Sequence, residues 1–87
     1  MKNNDKIYAI YKIILIPEDR IIYIGATSMD LKEHLHCHVQ SRCTIGKFLK
    51  KSGYTRNDLK IEAIEYIKGK VQAFQREHDA TLEYMKE

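Results

Sequence analysis

One proline, four glycines and two cysteines among 87 residues leave little material for linkers, repeats or a cross-linked scaffold. No low-complexity tract and no internal repeat interrupts the chain, so 1–87 reads as a single domain. Cys37 and Cys43 form no Cys-x-x-Cys pair, and no second ligand pair follows at zinc-finger spacing. Free, buried thiols in a reducing compartment are expected instead. No apolar run approaches the ~18 residues that a membrane-crossing helix needs. The opening Met1-Lys2-Asn3-Asn4-Asp5-Lys6 is not followed by the apolar core of a signal peptide. The expectation is therefore a cytoplasmic protein with no membrane partner. Charge is not one-sided either. A formal net charge of +3 permits a polyanionic partner without demanding one.

Apolar residues make up 44% and charged residues 31% of the chain, the balance of an ordinary folded globule. A chain this short buries roughly 60% of its unfolded surface. A shallow site on one face is expected rather than a deep enclosed cavity.

Two runs organise the first third. Lys6 to Ile16 and Arg20 to Ile24 are rich in β-branched and aromatic residues, as strands are. Pro17-Glu18-Asp19-Arg20 between them supplies a turn, so the pair reads as a hairpin. Alternation places Tyr11 with Ala9 and Ile13, and Tyr23 with Ile21 and Gly25. Two phenols can thus meet on one surface, although aromatic pairs on a sheet are commonly packing. Ile13-Ile14-Leu15-Ile16 is apolar on both faces, which suits a strand that is central or covered by helices.

After Gly25 the texture becomes helical. Thr27, Ser28 and Asp30 can each cap a helix from about Asp30 to Gln40. A second helix, about Thr44 to Lys51, carries Ile45, Phe48 and Leu49 on one side, and Ser52-Gly53 stops it. Leu59 to Ile67 alternates imperfectly and is taken as a third strand, with a helix as its competitor. The last helix runs from about Val71 to Met85. Its expected buried stripe is Val71, Phe74, His78, Leu82 and Met85, with Glu77 on the rim beside Ala73 and Ala80. The order ββααβα describes an α+β domain, a small three-stranded antiparallel sheet flanked by three helices.

Beyond the tyrosines, three groups could carry chemistry. His34 and His38 are four apart and share a helix face, where they could bind a metal or exchange protons near neutral pH. His36 points away from them, and a half-exposed helix histidine is its simpler reading. Glu77, beside a core-facing stripe, must find water, a cation or a metal, because an unpaired buried charge is costly. Arg76 or a lysine could satisfy it structurally. The third group is cationic: Lys47, Lys50 and Lys51 on the second helix, extended by Arg42, Arg56 and Lys60, with Lys12 next to Tyr11 as a further candidate. A solvated face is the plain reading, and phosphate contact is the functional one.

Taken in order, these residues resemble the GIY-YIG nuclease domain over nearly the whole chain. Ala9-Ile10-Tyr11 stands where that family has Gly-Ile-Tyr, and Tyr23-Ile24-Gly25 matches its second motif. The stretch Ala26 to His38 is similar to the family segment that starts the first helix and ends Arg-Leu-x-x-His. Gln75-Arg76-Glu77-His78 is similar to the segment carrying the family's metal-binding glutamate. The resemblance implies hydrolysis of DNA phosphodiesters with one divalent ion, Mg²⁺ or Mn²⁺. In it, Glu77 holds the metal, Tyr11 is the general base, and Tyr23 and His38 place the water. It also implies a phage or mobile-element origin.

One departure matters most. Where the family has an arginine on the first helix, this chain has His34. Histidine is shorter, only partly charged at pH 7, and cannot grip phosphate bidentately. Arg42 is the nearest candidate substitute. Two readings follow: a small metal-dependent endonuclease, or a module of the same fold that binds nucleic acid, a nucleotide or a protein without cutting.

Overall fold

The computed structural model describes residues 6–40 and 42–85; the opening residues 1–5 of the leader argument lie outside them. Three strands, β1 (Ile7–Leu15), β2 (Arg20–Thr27) and β3 (Leu59–Lys68), form one antiparallel sheet in the order β2-β1-β3. Three helices complete the chain: α1 (Leu31–His38), α2 (Thr44–Ser52) and α3 (Lys70–Tyr84). The order ββααβα and the α+β class are as the sequence suggests, and the doubly apolar first strand is indeed central. Among the described residues, no helix is long and apolar enough to cross a membrane.

Local chemistry explains the boundaries. Pro17 lies in a single 3₁₀ turn between β1 and β2, and Asp19 closes it in the left-handed region, φ 50°. Asp30 caps α1 by accepting from the Glu33 N–H, so it is the cap among the three candidates. Gly53, φ 87°, ends α2 with its N–H on the Leu49 carbonyl, the left-handed stop that glycine adopts without strain.

The sheet is covered on both faces. Tyr11, Ile13 and Leu15 point into one cluster with Leu35 of α1, Ile45 and Leu49 of α2, and Leu59. Tyr8 and Ile10 point the other way, into a cluster with Ile24 and with Ala73 and Ala80 of α3. Two irregularities break the simple alternation. Ile13 pairs with Tyr23 but Ile14 with Ile21, leaving Ile22 as the extra residue of a bulge; Ile64 is the extra residue opposite Ile10 and Tyr11. Ile22 and Tyr23 consequently pack on one cluster while Ile21 packs on the other. The expectation that Tyr23 shares a side with Ile21 is therefore corrected.

The face of α3 is corrected as well. Val71 is 73% exposed, Phe74 47% and Leu82 60%, and His78 is exposed too. The helix docks instead through Ala73 and Ala80, both fully buried. Small residues let it lie close to the sheet, chiefly over β2. An ion pair from Arg76 Nε to Glu65 Oε2, 2.7 Å, ties it to β3. Glu77 is thus in the middle of the docking face, flanked by buried alanines, rather than on the rim of an apolar stripe.

This has a measurable consequence. Ala80→Leu should cost about 1–3 kcal/mol by overpacking, whereas Leu82→Ala should stay within about 0.5 kcal/mol. Urea unfolding of the two variants checks the order, which the sequence pattern alone would reverse.

Candidate active site

Tyr11 stands at the centre. Its side chain is 1% exposed, and its Oη receives two imidazoles from α1: His38 Nε2 at 2.8 Å and His34 Nε2 at 2.9 Å. One helix face delivers both rings because the residues are four apart; their centroids are 4.7 Å apart and nearly perpendicular. Tyr23 completes the group, its ring 4.8 Å from His38 and 6.2 Å from Tyr11. His34 Nδ1 lies 3.4 Å from Thr27 Oγ1, which also accepts the Met29 N–H.

Gly25 makes the arrangement possible. It pairs with Tyr11 across the strands, and a Cβ there would fall 2.6 Å from Tyr11 Cζ, closer still to the hydroxyl, and 2.9 Å from Tyr23 Cε2. The bare backbone is the space that the phenols occupy.

The hydrogen bonds impose a proton count. A phenol has one proton to give, and two Nε2 atoms face its oxygen. With every group neutral, one imidazole accepts the O–H and the other donates its own N–H. The two histidines must therefore hold opposite tautomers.

Electrostatics keep this cluster uncharged. Burial raises the Tyr11 pKa well above that of a free phenol, and the nearby Tyr23 and Glu77 charges add to the effect. Burial and Glu77 raise Tyr23 similarly. Burial lowers both His34 and His38, and His38 is lowered further by His34. Glu77 is raised by burial, with His78 acting in the opposite direction. Arg76, its suggested structural partner, engages Glu65 and Glu83 instead. Among the described residues no ion pair is made by Glu77. Glu77 is thus a half-buried carboxylate that acts on two phenols and, among the described residues, has no ion-pair partner.

The cations divide. Arg42 is exposed and lines a cavity of about 300 Å³ together with Tyr23 and His38. Lys47, Lys50 and Lys51 stay on the solvent side of α2. Lys12 belongs elsewhere: it lies 3.8 Å from Glu62 and over the Tyr84 ring, while Tyr11, its neighbour, points to the opposite face of the sheet. One contact of the cluster was not legible: Thr27, beside His34, was read only as a possible helix cap. Arg20 lines an adjoining cavity of about 240 Å³ that shares Tyr23, but its Nε is held by Glu18 Oε1 at 3.0 Å. A further cavity of about 630 Å³ lies elsewhere, between Tyr66 and the start of α1.

Cys37 and Cys43 are free, as expected, but Cys37 is exposed and Cys43 half-buried rather than both buried. His36 is exposed. No family model matches the chain, and no curated protein sequence or solved structure matches it significantly.

Proposed function

We propose that the chain is a small divalent-metal-dependent endonuclease hydrolysing phosphodiester bonds of DNA, like the GIY-YIG nucleases it resembles. The observation that carries this reading is the convergence of His34 and His38 on Tyr11, beside Tyr23 and the charge of Glu77, which has no ion-pair partner among the described residues. Glu77 would hold one Mg²⁺ or Mn²⁺, whose charge would offset that of the scissile phosphate. Arg42, at the rim with Tyr23 and His38, contacts phosphate.

Because Tyr11 is enclosed, its role in this reading is a relay rather than direct contact with water. A proton from the attacking water enters at the free Nδ1 of His38, and the His38 Nε2–H passes to Tyr11. The Tyr11 proton then moves to His34 Nε2. The net acceptor is an imidazole, which is far more basic than a buried, neutral phenol.

A second reading, binding without cutting, is favoured by one observation. His34 stands where the resemblance has arginine, and burial keeps it neutral. The first helix therefore supplies no fixed positive charge at that position, a donor of the sort whose removal costs about 10²–10³-fold in rate, and Arg42 at the rim is the cation left to the site.

Supercoiled plasmid incubated with Mg²⁺ or Mn²⁺ separates the readings. Nicking by the protein that fails with Glu77→Ala and weakens about tenfold with Arg42→Ala supports the nuclease. Cutting only by His34→Arg identifies a site disabled at one position. Silence from both, with DNA retained in a gel shift, supports the binding module.

A further inference from the structure

Among the described residues, no three His, Cys, Asp or Glu side chains gather to hold a metal. A different donor set does converge. His34 Nε2 and His38 Nε2 lie 2.9 and 2.8 Å from one phenol oxygen, that of Tyr11. We propose that His34, His38 and Tyr11 form a binding site for a borderline transition-metal ion of the Zn²⁺ class, separate from any hard ion at Glu77.

Three features argue for it. First, the spacing is close to what is required. Zinc bonds of about 2.0–2.1 Å in tetrahedral geometry put donors roughly 3.3 Å apart. Each imidazole need only withdraw from the phenol by about half an ångström. Second, both rings come from one helix face, four residues apart, so the two nitrogen ligands are positioned before metal arrives. Third, Thr27 Oγ1 stands behind His34 Nδ1 at 3.4 Å, where it can accept the N–H that leaves Nε2 bare for the metal.

The proton balance is simple. A Zn–O bond forms as the Tyr11 O–H breaks, and that proton leaves to the buffer. Both imidazoles bind in the same neutral form, with the proton on Nδ1. The opposite tautomers that the metal-free cluster requires are therefore no longer needed. A tyrosinate held by zinc cannot relay protons. If the proposed nuclease reading holds, zinc is then an inhibitor of cutting, a consequence that rests on that reading while the binding itself does not.

The test is titration of the full-length, metal-free protein with Zn²⁺ at pH 7.5, followed by the ultraviolet difference absorption of ionised tyrosine. One Zn²⁺ per chain with one tyrosinate is expected. Tyr11→Phe should abolish the tyrosinate signal and weaken binding more than about tenfold. His34→Gln should do likewise, and His36→Gln should change neither. Circular dichroism establishes that each variant is folded, and His38→Gln replaces any that is not. Three results would overturn the site: no binding at ~100 μM Zn²⁺, binding without tyrosinate, or a signal that survives both Tyr11→Phe and His34→Gln. Plasmid nicking with and without Zn²⁺ then reads the inhibitory consequence separately, so loss of the nuclease reading leaves the binding result intact.

Discussion

Glu77→Gln should make the protein more stable at pH 7 and, on the nuclease reading, at least about 100-fold slower. The two effects share a cause. Burial raises the Glu77 carboxyl above its unfolded value, so the folded state favours the protonated form. Below the unfolded pKa, about 4.3, the carboxyl is neutral in both states and glutamine offers no advantage. As pH rises through that value the charge begins to cost stability, and above the raised folded pKa the whole cost is present. The variant's advantage is thus expected to be absent near pH 3 and complete at pH 7, as urea midpoints at the two pH values would show. Added Mg²⁺ should raise the wild-type melting temperature, because it binds only the folded carboxylate, and should leave Glu77→Gln where it was. A variant less stable than wild type at pH 7 would mean that the carboxylate makes a structural bond, and would count against a ligand role.

Gly25→Ala should be among the most damaging single-methyl changes in the molecule. In a strand, alanine is ordinarily the better residue by roughly 0.5–1 kcal/mol. Here its Cβ would meet Tyr11 Cζ at 2.6 Å and press closer still on the hydroxyl. Tyr11 cannot withdraw freely, since His34 and His38 hold its oxygen and the cluster with Ile13 and Leu35 surrounds its ring. A net loss of about 1–3 kcal/mol follows, at about 4–8 °C of melting temperature per kcal/mol for a domain of this size. The cause can be isolated with a double variant. Tyr11→Phe deletes the atom in closest conflict, so Gly25→Ala should cost less in that background than in the wild type. Additive effects would instead place the damage in the β1–β2 pairing.

The strands, the helices and their order could be read from periodicity because each signal there is local. Ile13-Ile14-Leu15-Ile16 is apolar on both sides, and β1 is covered on both faces. The docking face of α3 could not be read this way. Spacing picks out Val71, Phe74 and Leu82 as a stripe, but the sheet accepts the helix through Ala73 and Ala80, whose small size counts for little on a hydropathy scale. The bulges at Ile22 and Ile64 are equally silent in sequence, and the one at Ile22 puts Tyr23 and Ile21 on opposite faces of the sheet.

Within the site, the tyrosine pair and the histidine pair were each legible from their spacing. Their meeting was not. Twenty-three and 27 residues separate Tyr11 from His34 and His38, and only the docking of α1 on that face of the sheet, chiefly against β3, brings them together. Arg42 beside Tyr23 and His38, and Thr27 behind His34, depend on the same packing. Lys12 illustrates the converse: a neighbour in sequence that the pleat sends to the opposite side of the sheet.

The strand order β2-β1-β3 also sets a sequence of events during folding. The strand in the middle is made first, and the hairpin with β2 needs only a short loop closure. The other edge of β1 stays unpaired until β3, beginning at Leu59, has been synthesised and has returned past both intervening helices. Until then the nascent chain exposes the backbone donors and acceptors along one side of β1, an open edge of the kind that recruits other strands. Closing it is a long-range step and therefore slow relative to the hairpin. Aggregation during synthesis is accordingly expected to depend on how quickly residues 59–68 reach that edge, more than on the stability of the finished domain.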